Sequence, residues 1–185
     1  MTRNIFAIPF ILLPALVFRG EVQARNHCEE LVSQIKTIKR MPDRLSGHYF
    51  TDGDSLFWEI VKCKLEIVPY LIRKLDDKTP SGATEKMEDT VYTYTVADIA
   101  YFAMDEIIYG MPIDYFLDKP WWEKPEYWPY WKVVNSPGAR KIFRKRAHQW
   151  FDENKDRLVF RSCENWQACE IYGKHPNGGY YVLKE

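Results

Sequence analysis

Leu56–Asp77 reads LFWEIVKCKLEIVPYLIRKLDD. Asp54, just ahead of it, suits a helix cap, and Leu56, Phe57, Ile60, Val61 and Leu65 give the following turns a broad apolar face. After a short break, Pro69 falls in the first turn of a second helix, where its missing N–H removes no bond. Val68, Leu71, Ile72 and Leu75 then recur at steps of three and four. Two short helices with almost no linker are expected to pack antiparallel, apolar face to apolar face.

Working outward, residues 27–40 place Cys28, Leu31, Val32, Ile35 and Ile38 on one helical stripe, closed by Met41-Pro42-Asp43. Asp76 to Tyr94 is polar, contains Pro80 and Gly82, and reads as a long loop. Thr95-Val-Ala-Asp98 is a capping-box variant that opens a helix with Val96, Ile99, Ala100, Ala103 and Ile107 on one face. Gly110 and Pro112 end it. Ser136-Pro137 predicts the start of another helix, whose buried face is Ile142, Phe143, Ala147, Trp150 and Phe151. Leu158-Val-Phe160 is a short apolar piece. Asn177-Gly178-Gly179 is a turn, and Tyr180–Leu183 a short strand, so a small terminal β-hairpin is expected.

The Leu56–Asp77 stretch resembles a HEAT-type helical repeat, with a first helix, a tight turn, a proline near the second helix start, then Leu-Ile and Leu-Asp-Asp. Val96–Ile108, VADIAYFAMDEII, is similar to the first helix of a following unit. Exported bacterial proteins of this kind join such units to a segment like the one from Tyr127 to Phe160. No period repeats three times, as a solenoid requires. The expected fold is therefore mainly all-α: antiparallel HEAT-like hairpins over residues 25–160, with a C-terminal extension, 161–185, that carries the β-hairpin. The resemblance implies scaffolding or protein binding.

Arg3, the uncharged apolar run Ile5–Phe18 and Val22-Gln23-Ala24 match a secretory signal peptide over residues 1–24, cut after Ala24. The run is shorter than the roughly 20 residues needed to span a bilayer, and Pro9 and Pro14 interrupt it. The expected location is the periplasm or the exterior, with no membrane attachment after cleavage. Without residues 1–24 the chain carries 24 basic and 25 acidic groups. That balance argues against a protein that coats nucleic acid. Four cysteines in an exported chain point to disulfides. Cys163–Cys169 would close a small loop in the extension, and Cys28–Cys63 would join two early helices. Free, packed thiols are the alternative for Cys28 and Cys63.

Of the 29 aromatic residues, eight fall between Tyr115 and Trp131. Trp121, Trp122 and Tyr127 are the candidate binding residues there, for a protein surface or a sugar ring; the alternative is that these rings cap the helical core. Arg140, Lys141, Arg144, Lys145 and Arg146 put five cations in seven positions. They suit an acidic partner or a phosphate, or simply form the solvated face of a helix. Asp98 and Asp105, seven apart, are the only carboxylate pair considered for acid–base work, and Asp98 also suits the helix dipole. Asp52-Gly-Asp54 with His48 is too sparse for calcium and reads as a turn and a cap. No nucleophile elbow, zinc motif, phosphate loop or dinucleotide fingerprint occurs. The expectation is a non-catalytic module, without metal or cofactor, that binds another protein, in one version as an immunity or inhibitor protein. The alternatives are a glycan or cell-wall binder and a hydrolase.

Overall fold

The computed structural model describes residues 26–43, 50, 52–87, 90–117, 136–163 and 175–184. Helix α1 covers 26–33 and runs into a 3-10 turn, Ile35–Thr37. Helix α2 is Ser55–Lys62, capped by the Asp54 carboxylate, which accepts from the Leu56 amide at 3.0 Å. The break after it is sharp because Lys64 takes the left-handed backbone conformation at φ 57°. A 3-10 turn, Lys64–Ile67, leads to α3, Val68–Lys74, with Pro69 in its first turn.

Strands β1, Pro80–Met87, and β2, Thr90–Thr95, follow as an antiparallel pair. Next come α4, Val96–Ile107, and a short α5, Ile113–Leu117. The long α6, Ala139–Asn154, precedes β3, Leu158–Ser162, which pairs antiparallel with β4, Gly179–Leu183.

The molecule is thus mixed, with two small antiparallel sheets beside its helices, and the mainly all-α reading is corrected. The stretch read as a polar loop forms the first sheet. Its alternation was disguised: Tyr94 is buried and Tyr92 half-buried, while Val91 between the chain neighbours points outward at 70% exposure. The inward residues carry hydroxyls and the outward one is aliphatic, the reverse of the usual strand signature. Gly82 sits where β1 crosses the 35–39 segment closely, and a Cβ there would lie a tight 3.1 Å from the Ile38 carbonyl oxygen.

The expected hairpin of α2 on α3 is also corrected. Both helices pack against α4 and meet each other mainly through the intervening 3-10 turn. Helix α4 explains why. Every residue from Val96 to Ile107 except Asp105 is buried, so it is a central helix rather than one with a single apolar stripe. Its start is the expected capping box. Thr95 Oγ1 accepts from the Asp98 amide, and the Asp98 carboxylate accepts from the Thr95 amide. The second sheet docks at its far end through Ile108, which bridges to Tyr181, and through the Tyr109 amide on the Tyr181 carbonyl at 2.9 Å. Helix α6 starts later than Ser136-Pro137 implied. Gly138, at φ 78°, precedes its first turn, and the Ser136 carbonyl accepts from the Ala139 amide.

Candidate functional site

A groove of about 560 Å³ opens between α3 and α6. Its lining is Ile72 and Arg73 from α3, and Arg144, Lys145, His148 and Gln149 from α6. The four α6 residues sit at i, i+1, i+4 and i+5, so one helix face presents them all. Ile72 is almost fully buried and forms the apolar floor. The volume lies in the range of ordinary ligand sites.

The cations around the groove are held by acids on its rim. Arg144 Nη1 meets Asp76 at 3.0 Å, Arg73 Nη2 meets Glu29 at 3.5 Å, and His148 Nδ1 meets Asp152 at 3.0 Å. Arg73 also lies 4.5 Å above the Tyr70 ring. Gln149 Nε2 donates to Glu153 at 2.9 Å. Lys145 makes no ion pair among the described residues. In two of these ion pairs both partners are more than half exposed, and Arg144 is nearly so. Such pairs contribute roughly 0–1 kcal/mol each and exchange readily for a better acidic partner.

The five-cation run is thereby resolved into separate tasks. Arg140 is buried, and its Nη1 donates to Asp98 Oδ1 at 2.8 Å. Arg146 donates to the Tyr115 carbonyl at 2.8 Å and stacks 5.7 Å from the Tyr115 ring. Arg144 braces α6 to the end of α3. Arg144 and Lys145 reach the groove. Arg73, His148 and Gln149 were not singled out from sequence, because the groove joins segments some seventy residues apart.

Asp98 sits in a different environment. It is fully buried, with Oδ2 accepting from Tyr92 Oη at 2.9 Å, the Thr95 amide at 2.8 Å and Thr95 Oγ1 at 2.7 Å. Burial, reinforced by the Asp98 charge, pushes the Tyr92 phenol up. Burial, with Glu85 as its hydrogen-bond acceptor, does the same for Tyr94. A carboxylate engaged by an arginine, a phenol and a cap has no role at an open cleft. Asp105 is half-buried further along α4.

Asp52 and Asp54 serve the backbone. Asp52 accepts from the Asp43 amide at 3.1 Å and pairs with Arg40 at 3.0 Å. Amides of Asp43 and Gly53, with Arg40, hold its carboxyl below the usual range. Asp54 caps α2 and accepts from the Lys39 amide at 3.1 Å. No cluster of metal-ligating side chains occurs among the described residues. His175 is buried and bridges the second sheet to the core. Its Nε2 lies 3.2 Å from the Glu106 carbonyl and its Nδ1 accepts from the Asn177 amide at 3.1 Å, which fixes a neutral ring. Burial lowers its pKa to about 4.

Cys28 and Cys63 are free thiols in the structure, so the expected bridge between them is not formed there. Cys28 is buried in the core and Cys63 packs half-buried against it. Cys169 lies outside the described residues, and with it the Cys163–Cys169 pairing. Trp121, Trp122 and Tyr127, His48 and the 1–24 segment lie outside them too. No helix among the described residues is long and apolar enough to cross a membrane.

Comparison with known proteins finds no match: no family model fits the chain, and no curated protein or solved structure is significantly similar to it.

Proposed function

We propose that the chain is an exported, non-catalytic protein-binding module that takes an acidic segment of its partner into the groove between α3 and α6. The carrying observation is the groove lining itself, Arg73, Arg144, Lys145 and His148 around an apolar floor at Ile72. Two features favour a polypeptide over a nucleic acid. Glu29, Asp76 and Asp152 break the rim into short cationic stretches, whereas a phosphate backbone calls for a continuous basic track. An acidic peptide with interspersed apolar side chains satisfies cations and floor together, displacing the weak rim pairs. The non-catalytic reading is supported by the way Asp98 and His175, the buried groups best suited to proton transfer, are spent on structural bonds. An immunity or inhibitor protein fits this reading, since blocking an enzyme requires grip and no chemistry.

The test is fluorescence anisotropy with a labelled peptide of alternating glutamate and leucine, against a lysine-leucine peptide. The expected result is binding of the acidic peptide alone, weakened by salt and at least about tenfold by Lys145→Glu with Gln149→Glu. Equal binding of both peptides, or indifference to the two substitutions, would overturn the assignment.

A further inference from the structure

The sequence pattern sets Ile142 on the buried face of α6, but the structure turns it outward, at 52% exposure. Phe143, Ala147, Trp150 and Phe151, the rest of that expected face, are buried. Ile142 lies about 100° round the helix from Phe143, which carries it past the edge of the buried stripe. Its neighbours on the outward face are cations. Lys141 precedes it, and Lys145 and Arg146 follow at i+3 and i+4. Lys141 and Lys145 are exposed and make no ion pair among the described residues. Arg146 is held in place: its Nη1 donates to the Tyr115 carbonyl at 2.8 Å, and its guanidinium lies 5.7 Å from the Tyr115 ring, itself 43% exposed. Ile142 and the Tyr115 ring thus flank a fixed guanidinium. Lys145 and Gln149 carry the same surface into the α3–α6 groove. Asp152 and Glu153, the acids of α6, come ten and eleven residues after Ile142, about 15 Å along the axis. Asp114, beside Tyr115, is half-buried and already engaged.

We infer that the acidic partner segment runs on from the groove across α6 and sets a second apolar side chain on Ile142, beside the Tyr115 ring. This step rests on the acidic-peptide reading of the groove and adds a pattern to it: two apolar side chains with an acidic stretch between them. The first sits on the Ile72 floor and the second on Ile142, while Lys145 meets the carboxylates that cross between. An exposed apolar side chain with unpaired lysines on either side of it in the chain favours a partner that is apolar and acidic at once. The path from the groove to Ile142 goes about half-way round α6. At the outer surface of a helix that is roughly 15 Å, which about five extended residues span.

The test is fluorescence anisotropy on the full chain with the glutamate-leucine peptide, a glutamate-serine peptide, and the variants Ile142→Ser and Ile142→Leu. Ile142→Ser is expected to weaken binding of the glutamate-leucine peptide at least about fivefold. The ratio should persist as salt rises, because the lost contact is apolar. Binding of the glutamate-serine peptide should not change, and Ile142→Leu should bind as the unsubstituted chain does. If Lys145→Glu with Gln149→Glu weakens the glutamate-leucine peptide but Ile142→Ser does not, the groove reading stands and the extension across α6 is overturned. Sensitivity to Ile142→Ser alone would remove the groove and leave Ile142 as the anchor. Absence of peptide binding would overturn both. Sedimentation in which Ile142→Ser converts a dimer to a monomer would assign this surface to a second copy of the chain, and so overturn the extension.

Discussion

Asp98 and Arg140 form a deeply buried ion pair, at 0% and 4% side-chain exposure. Their attraction is strengthened by burial, yet each has lost its hydration, so the pair matters most when half of it is removed. Asp98→Ala and Arg140→Ala are each expected to cost about 3–5 kcal/mol in urea unfolding, with the double substitution costing less than the two together. Full additivity would mean that the pair is not coupled. His175 makes a second residue-scale prediction. It stays neutral in the fold down to about pH 4, whereas in the unfolded chain it gains its proton near 6.5. As pH falls the unfolded state is protonated first. Stability is therefore whole above pH 6.5 and is lost between 6.5 and 4, by on the order of 3 kcal/mol. Urea midpoints measured across that window should show the slope, and His175→Gln should lack this share of it while being less stable at pH 7.

Among the elements, the β3–β4 pair depends on one close approach of its strands. Gly179 opens β4 opposite Ser162, and a Cβ there would lie only 2.0 Å from the Arg161 carbonyl oxygen. Gly179→Ala therefore has to part the strands. It is expected to cost more than 3 kcal/mol and to raise amide hydrogen exchange in Leu158–Ser162 and Gly179–Leu183 well before α4. Unchanged protection in both strands would refute the close packing. The helices were legible because cap and stripe agreed: Asp54 for α2, Pro69 for α3, and Thr95 with Asp98 for α4. Strands β1 and β2 were not, since the inward side chain of β1 is only Ala83 and those of β2 are tyrosines whose hydroxyls find Asp98 and Glu85. Hydropathy alone reads such residues as surface; Asp98 from α4, held by Arg140 from α6, and Glu85 from the neighbouring strand are what satisfy them inside. The start of α6 was misplaced for a local reason, because Gly138 rather than Ser136 makes the final turn into the helix.

For the whole molecule, α4 is the hub among the described elements, and a lined groove opens on the α3–α6 side. Two of the six lining residues, Arg144 and Lys145, were visible in sequence within the cation run on α6. His148 and Gln149, one turn on, and Arg73 with the Ile72 floor became part of it only through the packing of α3 on α6. The run itself overstated the charge on offer, since Arg140 and Arg146 are turned to structural bonds. Because Lys145 is exposed, Lys145→Glu should change stability by no more than about 0.5 kcal/mol in thermal unfolding, while weakening acidic-peptide binding. A large loss of stability would instead make Lys145 a structural residue.

The most direct test is an amide chemical-shift map of the isotopically labelled chain titrated with the glutamate-leucine peptide. Saturable shifts concentrated on Ile72, Arg73, Arg144, Lys145, His148 and Gln149, and absent with the lysine-leucine peptide, are the expected result. Shifts centred elsewhere on the molecule, or none at millimolar peptide, would contradict the account.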